Sequence, residues 1–129
     1  MKDKLINEAL EAQKNAYAPY SKFKVGAAIL TETGNIYKGC NVENASLGAS
    51  ICAERNAATT AIAQEGKVRF KAIAIASTSE DPAPPCGICR QFLSEFTDTE
   101  APVYLVSAKS GKTKEFSFGK LMPESFTEF

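Results

Sequence analysis

The chain has 129 residues, 44% hydrophobic and 23% charged, with 15 Lys and Arg balanced by 15 Asp and Glu and with no histidine. That length suits one domain spanning residues 1–129 with a core of its own, and the balanced charge excludes an overall positive field that would gather a nucleic acid. The opening Met1-Lys2-Asp3-Lys4 lacks the apolar centre of a signal peptide and no apolar run exceeds strand length, so the expectation is a cytoplasmic chain without a membrane span, whose four cysteines are metal ligands or free thiols.

The first predicted element is a helix carrying Leu5, Ile6, Ala9, Leu10, Ala16 and Tyr17 on one stripe, with Gln13 as a polar break, and ending before Pro19. From Phe23 to Leu30 both alternating sets are apolar or small, which predicts a strand covered on both faces. Glu32-Thr33-Gly34-Asn35 is a turn, and Ile36 to Cys40 returns antiparallel. Beyond it Asn41 and Glu43 are two apart; on extended backbone their side chains point the same way and suit two hydroxyls or one diol.

Cys52 to Glu65 is rich in alanine and stops at Gly66, as a helix lying close against a sheet would. Ala72 to Ala76 is a continuous apolar run of the kind found in the middle of a sheet. Pro82, Pro84 and Pro85 stiffen a connector into a second helix, Cys86 to Phe96, with a stripe of Ile88, Phe92 and Phe96 beside Cys89 and Leu93. Val103 to Val106 and a short strand around Glu115 to Ser117 follow, joined by the tight turn Lys109-Ser110-Gly111-Lys112. Strands alternating with helices, with hairpins at both ends, predict an α/β fold: a three-layer αβα sandwich around a mixed five-stranded sheet.

The chemistry gathers at Cys52-Ala53-Glu54-Arg55 and Pro85-Cys86-Gly87-Ile88-Cys89-Arg90. Cys86 and Cys89, three apart in a first helical turn, have Cβ atoms roughly 5–6 Å apart and share one face. Cys52 opens the other helix, where Glu54 reaches the same space. Three thiolates suggest one Zn²⁺ per chain with a fourth position left for water, which is a catalytic arrangement. Such a centre carries net charge −1. Two helix N-termini, each worth about half a positive charge, and Arg55 donating to the sulfurs would offset it. Glu54, the carboxylate that is not a ligand, then suits a proton shuttle.

These motifs, with Ala16 to Ala28, Gly39 to Ala45 and Leu121 to Phe126, resemble the zinc-dependent cytidine deaminases, specifically their short, homotetrameric, all-cysteine branch. The resemblance covers nearly the whole chain. It implies hydrolytic deamination of free cytidine and 2′-deoxycytidine to uridine and 2′-deoxyuridine plus ammonia, by zinc-activated water with Glu54 as the proton shuttle. It further implies that Ala53 contacts substrate, that Asn41 and Glu43 bind the ribose 3′-hydroxyl, that Phe23 packs on the nucleoside, and that Phe126 reaches a neighbouring subunit's site. Many relatives carry a sugar-binding tyrosine where Leu47 aligns, which makes another cytosine nucleoside an alternative substrate.

Two other readings compete. Cys86-Gly-Ile-Cys89 alone suits a thioredoxin-like redox pair. Cys40 as a fourth ligand would close a structural, non-catalytic zinc site.

Overall fold

The structure, a computed structural model describing residues 1–129, centres on a five-stranded sheet in the order β2-β1-β3-β4-β5. The strands are β1 (Val25–Thr31), β2 (Ile36–Cys40), β3 (Phe70–Ser77), β4 (Pro102–Ser107) and β5 (Thr113–Ser117). β3 and β4 run parallel and every other neighbouring pair is antiparallel. Helix α1 (Lys2–Gln13) covers one face; α2 (Ala53–Glu65) and α3 (Gly87–Ser94) cover the other, and a single turn, α4 (Phe118–Leu121), follows β5. The three-layer expectation is therefore met.

Side-chain size decides which helix each face receives. On β3, Ala72, Ala74 and Ala76 point at α1 and pack with Leu5, Ile6 and Ala9. The intervening Ile73 and Ile75 point at α2 and α3, where Ile29, Leu93, Val103 and Leu105 complete the larger core. Ile29, Ile73, Leu93 and Leu105 are each no more than 1% exposed, and burying a side chain of that kind contributes about 1.5–3 kcal/mol. α2 turns Ala53, Ala57, Ala58 and Ala61 to the sheet, so its backbone comes in close. At Gly39 on β2 a Cβ would lie 2.3 Å from the Ala57 nitrogen, so only glycine fits there.

The far end of α2 is held by polar contacts. Glu65 accepts from the Thr33 hydroxyl at 2.7 Å, the Thr31 hydroxyl at 3.0 Å and the Asn35 amide at 3.1 Å, clamping the β1–β2 turn to the helix. Donation from Thr33, then from Tyr37, Asn35 and Thr31, holds the Glu65 carboxyl below its ordinary range. A folded-state pKa below the unfolded value of about 4.3 adds stability that is fully present above that value and disappears as pH falls through the folded one. Glu65→Ala should accordingly melt below the wild type at pH 7, and the gap should narrow progressively as pH falls below the unfolded value of about 4.3. A gap independent of pH would show that the ionised carboxylate does not stabilise this corner.

Two boundaries and one side chain differ from expectation. α1 stops at Gln13, one turn early: the chain leaves the helix so that the Tyr17 N–H can bond the Asn41 carbonyl at 2.9 Å. Gln13 is no polar break but is buried, its amide donating to the Lys24 carbonyl. Phe23 precedes the strand, because Lys22 adopts a left-handed φ of 63° that turns the chain just before β1. No helix is long and apolar enough to cross a membrane.

Candidate metal centre and adjoining cavity

Cys52 is the N-cap of α2 and Cys86 the N-cap of α3, both on extended backbone, and Cys89 lies in the first turn of α3. The α2 and α3 starts therefore converge, and the sulfurs of Cys52, Cys86 and Cys89 lie within 4.8 Å of one another. A tetrahedral zinc with Zn–S bonds of about 2.3 Å holds its sulfurs about 3.8 Å apart, so modest contraction suffices. The donor set fits as well: three soft sulfurs with no nitrogen or carboxylate in the group. Cys40 stands apart on β2, in a separate groove with Asn15, Lys38 and Asn56, so a closed four-cysteine site is excluded.

Electrostatics at the cluster favour a cation. The Cys89 thiol, donating toward Cys52, is itself pushed up, while Cys52 is held down to about 5 by that donation and by Arg55. Cys52 and Cys89 thus share one proton and one negative charge, and a dication held by the cluster would favour the thiolate form of both. Arg55 Nη2 donates to Cys52 Sγ at 3.5 Å, as expected of a group that offsets thiolate charge, and its Nε is buried without a partner.

Beside the cluster lies a cavity of ≈ 190 Å³ lined by Phe23, Val25, Asn41, Cys52, Ala53, Glu54, Ile75, Ser77, Ala83, Pro84 and Cys86. Glu54, the second residue of α2, is only 5% exposed. Burial pushes its carboxyl up to about 7; the nearby Cys52 charge adds to this and Arg55 opposes it. A carboxyl of that proton affinity both accepts and gives up protons near neutrality.

The cavity thus joins Phe23, Asn41, Ala53 and Glu54 to two of the cysteines, while Glu43 and Phe126 lie outside its lining. Asn41 is partly engaged: its Oδ1 accepts from the Val25 N–H at 2.9 Å and its Nδ2 donates to the Phe23 carbonyl at 2.8 Å. Glu43 accepts from the Tyr20 and Ser21 N–H groups at 3.0 and 3.1 Å and from the Ser21 hydroxyl. Both side chains thus hold the segment that carries Phe23. Each keeps hydrogen-bonding capacity in reserve, a second amide hydrogen on Asn41 and further lone pairs on Glu43. Leu47 sits in a 3₁₀ turn (Leu47–Ala49), 72% exposed. The sequence reading overlooked Val25, Ile75, Ser77, Ala83 and Pro84 as walls; the signal lay in their place at the start of β1, towards the end of β3 and in the proline-rich connector before Cys86.

A mixed sheet that presents three thiols from two helix starts, with a buried acid alongside, fits the class of zinc-binding enzymes. Residues 1–105 match the family described as "Cytidine and deoxycytidylate deaminase zinc-binding region". The cytidine deaminase of Sporosarcina psychrophila is 46% identical over 126 residues, covering 98% of this chain and 91% of that protein. The probable cytidine deaminase of Dictyostelium discoideum is 45% identical over 128 residues, covering 98% of this chain and 84% of that protein. The crystal structure of cytidine deaminase from Burkholderia pseudomallei superimposes with a TM-score of 0.91 at 42% identity, covering 98% of this chain and 99% of the other. The chain belongs to the cytidine deaminase family, and Cys52, Cys86 and Cys89 are its zinc-binding cluster.

Proposed function

We propose that this chain hydrolyses free cytidine and 2′-deoxycytidine to uridine and 2′-deoxyuridine plus ammonia, as a single-domain subunit of a homotetramer with shared active sites. The observation that carries the reading is Glu54: a nearly sealed carboxyl, with its proton affinity raised to about 7, on the wall of a cavity that two zinc-binding cysteines also line. Zinc, when bound, supplies a Lewis acid that makes water a competent nucleophile at neutral pH.

The chain's own residues supply the rest. Glu54 takes one proton from the attacking water and delivers it to N3 of the cytosine ring. It then takes the second proton, from the hydroxyl now on C4, and passes it to the amino group, so that the C4–N bond breaks, ammonia leaves and the C4 oxygen becomes the carbonyl. The positive ends of α2 and α3, and the Arg55 N–H on Cys52, draw charge from the sulfurs. Phe23, Val25, Ile75 and Pro84 form apolar walls that exclude water and take the faces of the ring.

The volume is smaller than the roughly 300–1,000 Å³ of pockets that enclose a whole drug-sized ligand, so the cavity takes the base and leaves the sugar at its mouth. Asn41 and Glu43 then serve the 3′-hydroxyl with the capacity they hold in reserve, which is why both ribose forms are accepted. Phe126, 67% exposed on the C-terminal segment, suits contact with a second subunit's nucleoside.

The test is a nucleoside panel run on one zinc-assayed sample. Cytidine and deoxycytidine should both lose the cytosine absorbance band, with one zinc per chain and a tetrameric mass by light scattering. A zinc-loaded sample that leaves both nucleosides unchanged refutes the assignment.

A further inference from the structure

Cys86 is the exposed member of the zinc cluster, and the backbone that leads to it, though stiff, is poor in hydrogen bonds. The connector Pro82-Ala83-Pro84-Pro85 contains three prolines, which have no N–H to donate. One hydrogen bond reaches it: Arg90 Nε donates to the Pro85 carbonyl at 2.8 Å. The same guanidinium donates through Nη1 to the Leu121 carbonyl, the last residue of α4, also at 2.8 Å. A single side chain, one residue beyond Cys89, therefore fixes the peptide entering Cys86 and fastens it to a segment 36 residues further on.

We propose that Arg90 is a positioning residue for the metal centre: its fork sets the Pro85–Cys86 peptide, and hence the Cys86 sulfur, and couples that setting to the C-terminal helix. The planar guanidinium is suited to the task because it offers two donors at a fixed angle to two carbonyls. An ammonium offers one point of attachment on a flexible stem. The inference rests on the three-cysteine zinc site and is independent of which nucleoside is the substrate.

The experiment measures zinc release from the intact, zinc-loaded protein to a chromogenic chelator for wild type, Arg90→Gln, Arg90→Lys and Gln91→Ala. Removing a partner that orients a metal ligand typically costs about 10–100-fold in metal affinity. Arg90→Gln should therefore release zinc at least about tenfold faster, with Arg90→Lys between it and wild type. Gln91→Ala removes the neighbouring tie from α3 to the tail, the 2.7 Å bond to the Phe126 carbonyl, without touching the connector, and should release zinc at the wild-type rate.

Wild-type release from both Arg90 variants overturns the proposal, even if they melt earlier. Equal acceleration in Gln91→Ala also overturns it, because tail anchoring in general would then be responsible. Should Arg90→Gln fail to fold, Arg90→Lys decides: faster release supports the role and unchanged release removes it. Zinc release is read without substrate, so a failure of the cytidine assignment would not be mistaken for a failure here.

Discussion

Glu54→Gln should keep its zinc and lose turnover by at least ~10²-fold, the contribution expected of a positioned general acid–base group. Glutamine matches glutamate in size, so the helix start and the three sulfurs stay where they are, but an amide cannot carry a proton between water, ring nitrogen and amine. Glu54 lines the cavity with no second carboxylate beside it, so no neighbour can take over the work. The measurement pairs kcat for cytidine with zinc content on the same preparation. If the variant keeps its metal and most of its turnover, proton transfer runs through some other group. If it loses the metal, the carboxylate is needed to hold the cluster.

The second large effect concerns packing. A Cβ at position 39 would sit 2.3 Å from the Ala57 nitrogen and 2.8 Å from both the Ala53 carbonyl oxygen and Asn56 Oδ1. Overpacking typically costs about 1–3 kcal/mol, and helix backbone cannot rotate aside as a side chain can, so Gly39→Ala belongs at or above the upper figure. For a domain of this size that lowers Tm by roughly 10 °C. The damage should also reach the metal, since α2 carries Cys52 and Glu54 and is pinned to β2 by the 2.9 Å bond from the Cys40 N–H to Asn56 Oδ1. Gly48→Ala, where an added methyl meets nothing within 4 Å, should stay within about 0.5 kcal/mol of wild type. Equal melting of the two variants would mean that α2 moves off the sheet without cost.

Residue pattern alone disclosed the three layers, the order of the elements and the thiol cluster, because each leaves a local signature. Ala72 to Ala76 reads as a central strand, Gly66 as a helix stop, and Cys86 and Cys89 as one face of a first turn. The parts that stayed hidden depend on contacts between distant segments. Gln13 looks like an interruption until the Lys24 carbonyl is there to receive its amide. Asn41 and Glu43 read as a pair aimed at ligand hydroxyls, yet both also brace the loop from Tyr20 to Val25, a use that no spacing rule discloses. Arg90 gives no hint in the helical pattern that its partners lie at Pro85 and Leu121.

The modest volume beside the cysteines has a consequence for selectivity. Apolar walls on a snug hollow impose their discrimination on whatever enters it, so a bicyclic purine should be turned away by size alone. Whatever stays at the entrance is screened by only a few adaptable polar groups. Chemical alterations of the pentose should therefore be tolerated far more readily than enlargement of the heterocycle.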